Sequence, residues 1–192
     1  MRIILGLGNP GLRYALSRHN VGFLAVDRLA SEIGARFRVI EERLEVAQAK
    51  AFGEELILAK PLTYMNWSGK AAAELAVRHS VPPQEFMVVY DDIALPLGRL
   101  RLRARGSAGG QRGMQSVVEH LQTREIPRLR LGILGKGERR DLAEYVLQAF
   151  DPDEWPVVEK MLERSVEALA LAVSRGVPVA ASKFNRMEAP QP

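Results

Sequence analysis

Residues 2–11 read Arg2-Ile3-Ile4-Leu5-Gly6-Leu7-Gly8-Asn9-Pro10-Gly11, an apolar run that breaks into a glycine-rich turn. The run reads as a buried strand, and the turn at its end decides the kind of α/β protein this is. Gly6, Gly8 and Gly11 have the G-x-G-x-x-G spacing of a dinucleotide-binding turn. That turn requires a helix to begin inside the motif, so that its first amides meet a pyrophosphate. Here Pro10 stands where the chain should enter the helix, and the next helical pattern starts only near Asn20. The acidic residue expected about 20 residues further on, at the end of a second strand, is missing. Asp27 falls inside a helical pattern instead. The spacing fails its context, and no dinucleotide or other cofactor is expected.

Working outward, residues 21–33 carry apolar side chains at helical spacing and stop at Gly34. Residues 46–52 and 56–60 flank Gly53-Glu54-Glu55 as a hairpin. Residues 68–79 form an alanine-rich helix that ends before Pro82-Pro83, and 86–90 is an apolar strand running into Asp91-Asp92. Residues 97–104 and 128–134 alternate, as strands with one wet face do. A glycine-rich loop at 106–110 precedes a helix over 114–121, and further helices are predicted over 142–150 and 155–175. Alternating strands and helices predict a three-layer α/β/α fold with a mixed, mostly parallel twisted sheet. No linker or repeat divides the chain, so 1–188 is expected to be one domain and 189–192 a short tail.

Composition narrows the chemistry. The 192 residues contain 47% hydrophobic side chains, enough for a core without staples. Cysteine is absent, which excludes disulfides and thiolate metal sites. His19, His79 and His120 are scattered, so no metal is expected. No apolar run approaches the roughly 18 residues of a membrane span, and nothing at the start resembles a secretion signal. The expectation is a soluble cytoplasmic protein. Net charge is +4, and arginine dominates the basic side chains, which suits either phosphate contacts or a well-solvated surface.

Four segments end in polar residues of chemical use: Asn9 after the first strand with His19-Asn20 ahead of the next helix, Asn66 after 56–60, Asp91 after 86–90, and the loop at 106–110. Clefts form at strand ends in α/β proteins. If these ends converge, they give a histidine that can take a proton from water, a carboxylate to fix its tautomer, and two neutral amides. No cysteine and no G-x-S-x-G offers a covalent nucleophile, so water attack on an activated ester fits best. Each residue also has a plain structural reading: Asn9 easing a turn, Asn20 and Asn66 capping helices, His19 on the surface, Asp91 and Asp92 as turn acids, His79 and His120 at helix ends.

Taken together, the ordered motifs Gly6–Gly11, Tyr14, Arg18-His19-Asn20-Val21-Gly22-Phe23, Lys60-Pro61-Leu62-Thr63-Tyr64-Met65-Asn66-Trp67-Ser68-Gly69, Tyr90-Asp91-Asp92, Leu95-Pro96-Leu97-Gly98, the glycine loop and Arg128-Leu129-Arg130-Leu131-Gly132-Ile133 closely resemble bacterial-type peptidyl-tRNA hydrolase. The resemblance spans almost the whole chain. It implies a monomeric α/β/α enzyme that cleaves the ester between a peptide and the 3′ ribose of tRNA without a metal. It makes His19 the base on water, paired with Asp91, with Asn9 and Asn66 placing peptide and water. It assigns Tyr14, Tyr64 and Arg112 to the substrate-binding surface. It sets Arg103 and Arg130, with Arg139 in a basic stretch of the following loop, against phosphates of the tRNA acceptor arm and 3′ end.

One stretch departs from the pattern. The family loop usually runs Gly-Gly-His-Asn-Gly, and here it is Gly109-Gly110-Gln111-Arg112-Gly113. Gln111 still donates and accepts hydrogen bonds but does not titrate, and Arg112 is a charged donor only. The rival to an enzyme is a splicing-factor-like relative of the same fold that binds RNA without hydrolysis. Retention of Asn9, His19, Asn66 and Asp91 together favours the enzyme.

Overall fold

The first strand, β1 (Arg2–Gly6), lies at the middle of a seven-stranded sheet and is buried along Ile3, Ile4 and Leu5. In the computed structural model, which describes residues 1–135 and 141–186, β1 pairs in parallel with β4 (Glu54–Pro61) on one side and β5 (Phe86–Pro96) on the other. The chain passes from β1 through α1 (Val21–Glu32) to β2 (Arg38–Ile40), β3 (Leu44–Ala51) and β4. It then runs through α2 (Ser68–His79), β5, β6 (Leu100–Arg103), α3 (Arg112–Leu121) and β7 (Arg128–Leu134). Three helices close it: α4 (Leu142–Leu147), α5 (Trp155–Arg175) and α6 (Val177–Phe184).

The sheet order is β2-β3-β4-β1-β5-β7-β6. Strands β4, β1, β5 and β7 run parallel, while β3 and β6 oppose them and β2 opposes β3. Five of the seven strands therefore point the same way, the mixed but mostly parallel sheet expected from the sequence. Period-two alternation divides the strand side chains between two cores. Ile3, Leu5, Ile57, Val88 and Tyr90 pack with Ala71, Ala72 and Leu75 of α2 and Met114 and Val117 of α3. Ile4, Leu58, Val89, Leu129 and Leu131 pack with α1, α5 and α6 on the other face. On α5 the buried set Val158, Met161, Leu162, Ser165, Leu169 and Ala172 repeats at three and four residues. Each large apolar member of such a stripe contributes about 1.5–3 kcal/mol by leaving water.

One glycine fixes how α1 meets the sheet. A Cβ on Gly22 would fall 2.6 Å from the Leu7 carbonyl oxygen and 2.8 Å from its amide nitrogen. Helix backbone thus rests on strand backbone, and this close approach brings the start of α1 to the carboxyl ends of β1 and β5. The β3–β4 hairpin turns at Phe52 and Gly53, both at positive φ (55° and 82°), which suits the right-handed strand twist.

The structure redraws several elements. β5 does not stop at Tyr90: it continues through Asp91 and Asp92 because β7 runs alongside, pairing Asp91 with Leu131 and Asp92 with Gly132. Ladder pairing there overrides the turn preference of two adjacent aspartates. β6 begins only at Leu100, since 97–99 form a turn around Gly98 at φ 83°. α4 ends at Leu147, short of the expected Phe150. β2 and α6 have no counterpart in the sequence reading: β2 is a three-residue edge strand with little burial, and α6 follows α5 after a single glycine, Gly176. The tail at 189–192 lies outside the described residues.

Candidate active site

At the carboxyl end of β1 the amide of Leu7 still donates to Val89 O (2.9 Å), and the chain then leaves the sheet. Asn9 comes next but one, 7% exposed. Its backbone N–H donates to Oδ1 of Asn20 (2.8 Å), and Nδ2 of Asn20 donates back to the Asn9 carbonyl (2.9 Å). Asn20 stands at the N-cap position of α1, but its side chain makes no capping bond and acts instead like a strand partner for Asn9. The Asn9 side chain accepts at Oδ1 from Met65 N (2.8 Å), which fixes the orientation of its amide and leaves Nδ2 as its remaining donor. Asn9 does not ease the turn either, because the positive φ there belongs to Gly11 (97°).

Two features of this turn dispose of the dinucleotide reading. Residues Leu12–Tyr14 form a 3-10 turn, and the first α-helix begins at Val21.

Arg18, His19 and Asn20 form a 3-10 turn leading into α1. Arg18 is buried: its guanidinium lies over the rings of Tyr145 (4.4 Å) and Phe150 (5.0 Å) and pairs with Glu154 at 2.6 Å. Its own amide donates to Gln148 O (2.9 Å), so the segment from α4 to α5 braces the turn from behind. Next to it, Nδ1 of His19 lies 2.8 Å from Oδ2 of Asp91, off the line of a straight N–H···O bond, with the two side chains 13% and 3% exposed. Catalytic hydrogen bonds commonly straighten only when substrate is bound. The other oxygen of Asp91 accepts from Nε2 of Gln111 (3.0 Å). Asp91 and Asp92 are thus not turn acids. Asp92 makes a separate set of contacts, accepting from Ala94 N (2.9 Å) and pairing with Arg130 at 2.5 Å.

Asn9, His19 and Asp91 converge as the sequence suggested, joined by Asn20, Met65 and Gln111. Asn66 is exposed on the 3-10 turn Met65–Trp67, one residue past the amide that binds Asn9, and it caps no helix. Tyr64 is largely exposed beside it, Tyr14 is half-buried with Arg13 over its ring (5.5 Å), and Arg112 is the exposed first residue of α3. Among the described residues no hydrogen bond or ion pair joins these four to the cluster. His79 and His120 lie in the last turns of α2 and α3, away from it.

Of the basic residues, Arg103 is exposed on β6 and Arg130 sits on β7 with its Nη2 near Gly109. Arg130 is already paired with Asp92, and Arg139 lies outside the described residues. The arginine that the sequence left unassigned is Arg128, 1% exposed. It donates to the carbonyls of Ser107 (2.8 Å), Arg124 (3.1 Å) and Ile126 (3.0 Å), tying the glycine loop to the start of β7. Burial lowers its pKa, and burial likewise raises that of the neighbouring Tyr90 phenol. In the sequence Arg128 and Arg130 occupy equivalent alternating positions, so no pattern distinguishes the buried one from the accessible one.

The family model for peptidyl-tRNA hydrolase matches residues 3–191. The chain belongs to the peptidyl-tRNA hydrolase family. It is 43% identical over 186 residues to the peptidyl-tRNA hydrolase of Elusimicrobium minutum, covering 97% of this chain and 100% of the relative. The corresponding figures for that of Aquifex aeolicus are 40% over 188 residues and 98% of each. A crystal structure of peptidyl-tRNA hydrolase from Acinetobacter baumannii superposes with a TM-score of 0.91 at 28% identity, over 99% of this chain and 97% of that one. Family membership makes the chain an ester hydrolase acting on peptidyl-tRNA, and the non-catalytic RNA-binding alternative is not favoured.

The site's chemistry suits that class. Ser68, the serine nearest Asn66 in the chain, is buried and donates its hydroxyl to Met65 O (2.8 Å), so it is committed to structure. Among the described residues no group of three or more His, Asp or Glu side chains could hold a metal ion, and no helix is long and apolar enough to cross a membrane.

Proposed function

We propose that His19 is the general base of this peptidyl-tRNA hydrolase and Asp91 its orienting partner. The observation that carries the reading is the 2.8 Å approach of His19 Nδ1 to a carboxylate that is itself buried and hydrogen-bonded. A carboxylate beside Nδ1 keeps the proton on that nitrogen and leaves the lone pair on Nε2. Nε2 takes a proton from water as the oxygen attacks the ester carbonyl. When the tetrahedral intermediate collapses, the imidazolium returns that proton to the departing 3′ oxygen of the tRNA. The products are a peptide acid and free tRNA.

The free Nδ2 of Asn9 and the amide of exposed Asn66 are placed to donate to substrate carbonyls or hold the water, neither of which neutralises the base. Tyr14, Tyr64 and Arg112 line the approach, and Arg103 and Arg130 meet phosphates of the acceptor arm and 3′ end. Such contacts give affinity without reading sequence, which suits an enzyme serving many tRNAs. On this reading residues 1–188 act as one monomeric unit in the cytoplasm, where aborted translation leaves the substrate.

The test is release of tRNA from N-acetyl-aminoacyl-tRNA. His19→Ala should lower kcat by about 10²–10⁴, the usual contribution of a positioned base, and leave substrate binding nearly intact. Wild-type kcat in that variant would refute the assignment.

A further inference from the structure

The residue that departs from the family pattern holds the centre of the site together. Gln111 immediately precedes α3, and its Oε1 accepts from the backbone N–H of Met114 (2.6 Å). A backbone amide only donates, so this bond settles which end of the side-chain amide is which. The other end, Nε2, therefore faces Oδ1 of Asp91 at 3.0 Å, with Sδ of Met65 at 3.3 Å. Asp91 is left with one oxygen on Gln111 and the other on His19, and its rotation about the carboxyl axis is blocked from both sides. The remaining charged groups nearby do not compete for it: Asp92 and Arg130 pair with each other, Arg128 is spent on backbone carbonyls, and Arg112 is exposed.

We propose that Gln111 is a positioning residue for hydrolysis: it relays the fixed start of α3 to Asp91 and so holds the carboxylate against His19 Nδ1. The proposal rests on the His19–Asp91 reading above. A histidine at this place would titrate near neutral pH, whereas an amide presents the same donor to Asp91 at every pH.

Three variants separate this role from helix capping. Gln111→Glu keeps an oxygen for Met114 N but loses the donor to Asp91 and sets a second carboxyl against it. Gln111→Met loses both bonds at similar length, and Gln111→His restores a donor. Steady-state release of tRNA from N-acetyl-aminoacyl-tRNA is measured at pH 5.5 and pH 8, relative to wild type and corrected for spontaneous hydrolysis. Gln111→Glu should keep its KM within about twofold. It should lose roughly ten- to a hundredfold in kcat at pH 8, the range for one hydrogen bond to a charged group. The deficit should shrink at pH 5.5, where the introduced carboxyl takes up a proton and donates it to Asp91, a reversal that a purely structural role does not produce. Gln111→Met should lose kcat to a similar extent at both pH values, and Gln111→His should recover to within about threefold of wild type.

A wild-type kcat in Gln111→Glu at both pH values, a loss confined to KM, or equal losses in the Glu and His variants would each overturn the proposal. His19→Ala run in parallel separates the two levels. If His19→Ala is inactive and Gln111→Glu behaves as wild type, only the tether fails. If His19→Ala keeps wild-type kcat, the reading beneath it fails as well.

Discussion

Asn20 crosses between the loop that carries Asn9 and the turn that carries His19, which makes Asn20→Asp a sharp perturbation. The side chain is 2% exposed, and its two bonds to Asn9 are 2.8 and 2.9 Å long. The substitution keeps the acceptor for Asn9 N and replaces the Nδ2 donor with an oxygen facing the Asn9 carbonyl. An unpaired buried acceptor costs about 1–3 kcal/mol, and a buried carboxylate beside it raises the total to about 3 kcal/mol. For a chain of this size each kcal/mol moves Tm by roughly 2–4 °C, so the loss should be about 6–12 °C at pH 7.5. Asn9 and His19 sit on the two loops, and a displacement of about 1 Å between them is enough to cost on the order of a hundredfold in rate. Calorimetric melts and initial rates of tRNA release, measured on the same samples below the transition, check both numbers. The sign of the pH effect is fixed. Burial favours the protonated form of the new carboxyl, whose O–H can donate to Asn9 O. The stability deficit should therefore shrink near pH 4 and grow as pH rises. A Tm within 2 °C of wild type at pH 7.5 would refute the reasoning.

Gly22→Ala places a methyl against the backbone of Leu7, where no side chain can give way. Overpacking of this kind should cost about 2–3 kcal/mol and roughly 4–12 °C in Tm, and an unchanged melt would mean that α1 does not rest on the sheet as described. Burial raises the Tyr90 phenol above its ordinary value of 10.0. The folded state therefore holds that proton more tightly than the unfolded chain. Its contribution is full below pH 10 and is lost as pH climbs from there towards the folded value. Melts from pH 8.5 to 11 should show the wild type losing stability relative to Tyr90→Phe above pH 10, and parallel curves would contradict the burial argument. Removing one phosphate contact should flatten the slope of log kcat/KM against log salt by roughly 0.7–0.9. Arg103→Ala should show that full change. Arg130→Ala should show less, because Arg130 must leave Asp92 to reach a phosphate; a slope unchanged in both removes this face from RNA binding.

Where local pattern and tertiary structure agree, the sequence was readable. The helices at 68–79 and 155–175 fall where the pattern places them, because each buries one regular stripe; the strand at 128–134 also falls in place, but it is buried on both faces, Arg128 and Gly132 included, where the alternation predicts one wet face. Asp91 is legible as a candidate for the site but not as part of a strand, since its extended conformation depends on β7, forty residues later. Asn20 looked like a cap because asparagine before a helix usually is one; its true partner, Asn9, is fixed only by the packing of α1 on β1. Gln111 and Arg128 mark the same limit. Both act through backbone groups, Met114 N and the carbonyls at 107, 124 and 126, and a sequence carries no signal for which backbone atom a side chain will meet.

The central place of β1 also dictates an order of assembly. It is the first strand to be synthesised, yet its neighbours are residues 56–59 of β4 and 86–89 of β5. At roughly 5–20 residues per second, about 4–18 s pass before both partners exist. Until β4 exists Ile3, Ile4 and Leu5 belong to a strand with two open edges, and until β5 exists one edge stays open, a template for pairing with other chains. The hairpin of β3 and β4 closes locally and can form earlier, giving β1 its first edge to dock on. A nascent chain stalled short of residue 86 would keep the other edge of its oldest strand bare. The segment that carries Asn9 thus waits for residues 86–89 before both its edges are covered, although it is the first to be made.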